Sequence, residues 1–179
     1  RVLSYEEKAL KPKGNLASLT VYVFDTRTLV ERLRENAETG TSYQIYSEVI
    51  PRMVTDGARV FGYEFKGYWQ YARTLDAYHA TNMDIIGPEA PDLEAWQVRT
   101  NFTSGSLGDP APSLFRSGAA VRTSLVCPGA SIDGSVEASI VSPDVVIERG
   151  AVVRNSIIMH GCRIEAGAFL DTVILDKLV

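Results

Sequence analysis

The chain has 179 residues, 45% of them hydrophobic and 22% charged, an ordinary globular balance that suffices for one domain or two small ones. Its formal net charge is -4 with the signs interspersed, so nothing in it marks a nucleic-acid or membrane partner. It has no apolar run long enough to span a bilayer and no signal peptide, and it opens on Arg1 without a start Met, which reads as a processed product or a fragment.

In chain order, Leu19, Val21 and Val23 alternate with Thr20, Tyr22 and Phe24, which predicts a strand buried on both faces. Asp25 or Thr26 can cap a helix that carries Leu29, Val30 and Leu33 and ends before Gly40. Ser47 to Val54 reads as a short helix, with Pro51 tolerable only near its first turn. Phe61, Tyr63 and Phe65 alternate as a second strand, and Thr74 caps a helix that runs through Tyr78 toward Ile86. Strands alternating with helices predict an α/β sheet. From Gly87 the chain turns polar and loses its period, with Pro88, Pro91, Pro110 and Pro112, so residues 87–117 read as a surface linker.

Beyond it a short phrase recurs: Ser124-Leu125-Val126, Ser139-Ile140-Val141, Ser156-Ile157-Ile158 and Thr172-Val173-Ile174. Ile140, Val146, Val152, Ile158, Ile164 and Leu170 stand six apart and are all apolar. A helix does not give that period. A triangular, left-handed parallel β-helix of hexapeptide repeats does, with one inward residue per side and glycines at the corners, here Gly129, Gly134, Gly150, Gly161 and Gly167. Residues 118–179 are therefore read as this β-helix. Cys127 and Cys162 lie inside it and read as small core fillers in a reducing, cytoplasmic setting.

Several phrases resemble the ADP-glucose pyrophosphorylase (glucose-1-phosphate adenylyltransferase) family. They are Glu7-Lys8, then Asn15-Leu16-Ala17-Ser18 with Tyr22-Val23-Phe24, then Gly67-Tyr68-Trp69, Thr74-Leu75-Asp76-Ala77-Tyr78 and Asn82-Met83-Asp84, and the β-helix phrase up to Val173-Ile174-Leu175-Asp176-Lys177. Together they cover nearly the whole chain in the family's order. The resemblance implies that residues 1–86 are the C-terminal part of a sugar nucleotidyltransferase α/β domain, followed by a truncated β-helix. It implies a complete enzyme that joins ATP and glucose 1-phosphate into ADP-glucose for glycogen synthesis, as a homo- or hetero-tetramer with Mg²⁺ and an anionic metabolite effector. The family's glycine-rich triphosphate loop is not found in these residues, so the chain alone is expected to be inactive.

On the same resemblance, Glu7 and Lys8 offer a carboxylate for sugar hydroxyls and a compact cation for the phosphate, while Ser18 and Tyr22 line the sugar side. Asp176 and Lys177, assisted by Arg116, correspond to effector-binding positions. Two phrases depart from the family. Tyr71 stands where a carboxylate holds Mg²⁺, and a neutral phenol is a poor ligand for that hard cation. Gln44 and Ile45 replace a sugar-contacting Asp and Phe. These departures point to an alternative, a non-catalytic regulatory or assembly subunit of the same fold. A hexapeptide acyltransferase using His160 as a base is the third reading, disfavoured because acyltransferases lack the α/β half; His79 and His160, the only histidines, make no metal cluster with the cysteines.

Overall fold

A computed structural model describes residues 1–99 and 111–179; the part of the expected linker at 100–110, Pro110 included, lies outside the described residues. The described chain divides into two compact units, Arg1–Lys66 and Gly67–Val179. No helix among the described residues is long and apolar enough to cross a membrane.

The first unit is held by helices. Helix α1, Thr26–Ala37, starts where its cap dictates: the Asp25 side chain accepts the Thr28 amide, satisfying one of the free N–H groups of the first turn. A π-helical turn at Ile45–Val49 runs straight into α2, Ile50–Thr55, with Pro51 in the first turn of α2. Val49, Ile50 and Met53 form the buried face.

The two expected strands of this unit do not form. No strand is assigned among residues 1–99, and side chains predicted to be buried stand in solvent, Val21 at 81% and Val23 at 99% exposure. The reason is pairing. An extended segment is stabilised by a neighbour that takes its N–H and C=O groups. Here a lone backbone bond, Val2 N–H to the Val60 carbonyl, joins the segment ahead of the first expected strand to the one ahead of the second.

In the second unit, Thr74 caps helix α3, Leu75–Asp84, by accepting the Ala77 amide. The β-helix follows as four coils of three short strands. The first coil holds β1 (Leu114–Phe115), β2 (Ala120–Arg122) and β3 (Leu125–Val126), and the second β4 (Ser131–Ile132), β5 (Ser135–Glu137) and β6 (Ile140–Val141). The third holds β7 (Val146–Ile147), β8 (Val152–Arg154) and β9 (Ile157–Ile158), and the last β10 (Arg163–Ile164), β11 (Phe169–Asp171) and β12 (Ile174–Leu175). Stacking gives three parallel sheets in the orders β1-β4-β7-β10, β2-β5-β8-β11 and β3-β6-β9-β12.

The inward register differs from the even six-residue reading. The buried core contains Val136, Val141, Ile147, Val153, Ile158 and Ile164, with Leu170 and Leu175 packed against it. Successive members are five, six, six, five, six, six and five residues apart, so these coils take seventeen residues. The five-residue side is the one that turns from the second sheet to the third. There Thr123, Ala138, Asn155 and Thr172 take positive φ, between 45° and 57°, which tightens the corner. The shorter side shifts the pattern by one residue. Ile158, Ile164 and Leu170 face inward as expected, whereas Val146 and Val152 are half-buried on the outer face. Ile140 also points outward but is covered, at 8% exposure. The second coil is shorter still, because Asp133-Gly134 turns its corner tightly: a Cβ on Gly134 would stand 2.5 Å from the Ala151 carbonyl oxygen.

The recurrent serine is the corner's polar partner. Ser139 Oγ donates to the Glu137 carbonyl at 2.7 Å and accepts the Ser156 amide at 3.1 Å, and Ser156 Oγ accepts the Val173 amide at 3.1 Å. Val173, not Thr172, is thus the counterpart of Ser156 in the last coil, since Ile157 pairs with Ile174.

This register makes a sharp comparison. Val153→Asp buries an unpaired charge and is expected to cost roughly 4 kcal/mol or more, against about 1 for Val152→Asp on the outer face. Denaturant unfolding of the two variants measures it; equal or reversed costs would contradict the register.

Candidate functional site

The four residues expected on the sugar-phosphate side all belong to the first unit, where they form two close pairs. The Ser18 and Tyr22 hydroxyls lie 3.3 Å apart. Lys8 Nζ is 3.7 Å from the Glu7 carboxylate and 5.9 Å from the centroid of the Tyr46 ring. Lys8 sits at φ 48°, a left-handed conformation that a non-glycine residue adopts at a cost, and its side chain is 82% exposed. The ammonium is thereby presented to solvent beside a carboxylate only 31% exposed. Thr20 is likewise left-handed, at φ 58°, which folds its amide back onto Ser18 Oγ at 3.2 Å.

Sequence reasoning missed Tyr5. Its phenol is half-buried in the same unit. Burial, and then the neighbouring Tyr22 and Glu7, push its pKa above the ordinary value. A signal existed: Tyr5 and Glu7 are two apart, so on extended backbone they share a face.

It also missed Glu48, which organises the divergent loop before the π turn. Its carboxylate accepts the Ser42 amide at 2.9 Å, the Tyr43 amide at 3.1 Å, and the hydroxyls of Ser42 and Thr41. The Ser42 and Thr41 hydroxyls hold its pKa down to about 2, with Asn36 and the Ser42 amide adding to this. Gln44, which follows, is exposed and gives no side-chain cap to the turn, and Ile45 is half-buried.

The second unit carries the other candidates. Tyr71 is exposed, with the Arg73 guanidinium 5.0 Å from its ring centroid and the Trp69 ring 6.1 Å away. The Tyr68 hydroxyl donates to Asp84 Oδ2 at 2.9 Å. Arg116 follows β1 in the first coil and donates to Ser131 Oγ at 3.3 Å. Asp176 and Lys177 follow β12 in the last coil, where Asp176 Oδ1 accepts the Lys177 amide at 2.8 Å. Three rungs separate the two positions, about 14 Å at ~4.8 Å per rung, and they lie at different corners. The structure therefore does not gather Arg116 with Asp176 and Lys177 into one cluster within a single chain. Asp176 instead borders a groove of about 700 Å³ with Leu75, Asp76, His79, Met159, Thr172 and Ile174. His79 Nε2 donates to the Asn155 carbonyl and so ties α3 to the tight corner.

Comparison with known proteins divides the chain further along than the two units do. A nucleotidyl transferase family model matches residues 1–87, and a model of the GlmU-like C-terminal hexapeptide region matches residues 113–179. The glucose-1-phosphate adenylyltransferase of Fervidobacterium nodosum is 32% identical over 178 residues, 99% of this chain. That of Clostridium beijerinckii is 36% identical over 157 residues, 87% of this chain. This chain belongs to the glucose-1-phosphate adenylyltransferase family. It spans 42% and 40% of the length of those two relatives. All four sugar-side candidates fall inside the nucleotidyl transferase match, and Arg116, Asp176 and Lys177 inside the hexapeptide match.

The Glu48 network has a pH signature. A folded-state pKa of about 2 lies below the ordinary 4.5, so the stabilisation is complete above 4.5 and lost as pH falls through 2. A carbon-detected NMR titration should show Glu48 with a midpoint near 2, the Ser42 and Tyr43 amides moving with it. A midpoint near 4.5 would mean the loop is not held this way.

Proposed function

We propose that this chain supplies the sugar-phosphate side and the β-helix of an enzyme that joins glucose 1-phosphate to ATP, releasing pyrophosphate and ADP-glucose. The observation that supports the reading is that one unit carries an exposed Lys8 ammonium beside the Glu7 carboxylate and a Ser18–Tyr22 hydroxyl pair. The sugar phosphate brings two kinds of group. Its phosphate needs a cation, which Lys8 provides as a point charge; its hydroxyls need acceptors and donors, which Glu7, Ser18 and Tyr22 provide. In the complete enzyme the phosphate oxygen attacks the α-phosphate of ATP. The contribution of these residues is to place the nucleophile and screen its charge. Glycogen synthesis in the cytoplasm, a tetrameric assembly and control by an anionic metabolite at Arg116, Asp176 and Lys177 belong to the same proposal.

Mg²⁺ would supply charge neutralisation on the triphosphate. The residues around Tyr71 do not fit it, because a neutral phenol beside the Arg73 guanidinium attracts no hard cation. Among the described residues no three Asp, Glu, His or Cys side chains group to hold a metal ion. This local chemistry favours a second reading, a regulatory or assembly subunit with the same fold. The readings separate in a pyrophosphate-release assay on the complete protein. Restored activity in Tyr71→Asp, alone or with Gln44→Asp, supports the regulatory subunit; an active wild type that Tyr71→Asp leaves unchanged or lowers supports the enzyme. The 179-residue chain alone is expected to release no pyrophosphate above background.

For the sugar side, calorimetric titration of glucose 1-phosphate should show saturable binding that Lys8→Ala weakens at least tenfold, about 1.4 kcal/mol or more. Unchanged affinity in Lys8→Ala would remove Lys8 from the site.

A further inference from the structure

In the second unit, the stretch ahead of α3 alternates its side chains. Tyr68 and Gln70 turn to α3, where the Tyr68 hydroxyl and the Gln70 side-chain amide both donate to Asp84 Oδ2, at 2.9 Å and 3.3 Å. Residues two apart share a face of an extended chain, so Trp69, Tyr71 and Arg73 are left on the other side. All three are exposed. Their contacts run in order along the chain. The Trp69 and Tyr71 ring centroids are 6.1 Å apart with the planes 32° from parallel, and the Arg73 guanidinium carbon lies 5.0 Å from the Tyr71 centroid. Asp84 anchors the opposite side, and the Thr74 cap of α3 fixes the chain immediately after Arg73.

We propose that Arg73, backed by the Tyr71 ring, is a binding site for a polyphosphate anion that needs no divalent cation. The inference rests on the nucleotidyltransferase reading given above, in which Tyr71 stands where a carboxylate would hold Mg²⁺. A carboxylate with Mg²⁺ carries one net positive charge; a neutral phenol with a guanidinium carries the same. Stacking on Tyr71 takes one face of the guanidinium and leaves its in-plane N–H donors to a ligand. Those donors match two phosphate oxygens at once. Among the described residues the arginines held in ion pairs are Arg27, Arg32, Arg149, Arg154 and Arg163, so no carboxylate there offsets the charge of Arg73. Trp69 adds an exposed ring beside the pair, on which a base can stack if the polyphosphate belongs to a nucleotide.

The test titrates the chain calorimetrically with pyrophosphate and with ATP, each in EDTA and in Mg²⁺. The wild type should bind pyrophosphate in EDTA at least as tightly as in Mg²⁺. Arg73→Ala should weaken that binding about tenfold or more, as loss of a charge-assisted contact would, and Arg73→Lys should recover part of it, keeping the charge without the flat fork. Tyr71→Asp sets a carboxylate beside the guanidinium and should cost about as much as Arg73→Ala, whereas Tyr71→Phe keeps the ring and should change the affinity by no more than about twofold. ATP separates the two sources of the anion. A loss of about fivefold or more for ATP alone in Trp69→Ala marks a nucleotide, and equal behaviour of the two probes marks the free anion. Binding that appears only with Mg²⁺, or Arg73→Ala equal to wild type, would overturn the site. Glucose 1-phosphate that still binds through Lys8 in that case leaves the sugar-phosphate reading standing; Arg73-dependent binding of pyrophosphate without any binding of glucose 1-phosphate brings down that reading alone.

Discussion

In the second unit, every coil must hand its N–H groups to the carbonyls of the coil beside it. Arg116 N–H meets the Ile132 carbonyl, Asp133 N–H meets Ile147, and Glu148 N–H meets Ile164, with matching sequences along the other two sheets. That ladder is non-negotiable for buried backbone. It demands coils of matched length, and it places every side chain by parity, since a shift of one residue exchanges the inner and outer faces. The tight corner with positive φ at Ala138, Asn155 and Thr172 is the device that keeps the rungs aligned while one side runs a residue short.

Two further columns reinforce the alignment. The serine column satisfies the amides that the tight corner turns inward, and Ser139 and Ser156 are accordingly buried, both at 0% exposure. On the outer face of the second sheet Arg122, Glu137, Arg154 and Asp171 stack in register with alternating charge. Arg154 and Glu137 are 3.6 Å apart and about half exposed, so each such pair adds at most about 1 kcal/mol. The alternation favours the correct register over a slipped one, because a slip by one rung would leave the outermost charges without a partner.

The sequence shows repeats, corners and helix caps because those depend on local chemistry. Asp25, Thr74 and Pro51 mark their helices through bonds within a turn or two. The even six-residue period was half right, because apolar residues occupy both faces of β6, β8 and β9, so composition does not reveal which of Ile140 and Val141, or Val152 and Val153, points inward. The segments at Leu19 and Phe61 form no strand for a different reason: alternation reports a propensity, and a strand needs a neighbour. At the sugar side, Glu7, Lys8, Ser18 and Tyr22 were found through resemblance. Glu48 was not, because its role comes from hydrogen bonds to residues up to seven positions away.

The first unit owes its shape to such polar networks more than to a large core, and that is where we propose that a sugar phosphate is recognised. The central claim is that the ligand contacts this cluster and not the β-helix. Amide chemical-shift mapping of the chain with glucose 1-phosphate tests it most directly. The account predicts that the perturbed amides centre on Glu7, Lys8, Ser18, Thr20 and Tyr22. Perturbations confined to residues 114–179, or spread evenly along the chain, would contradict it.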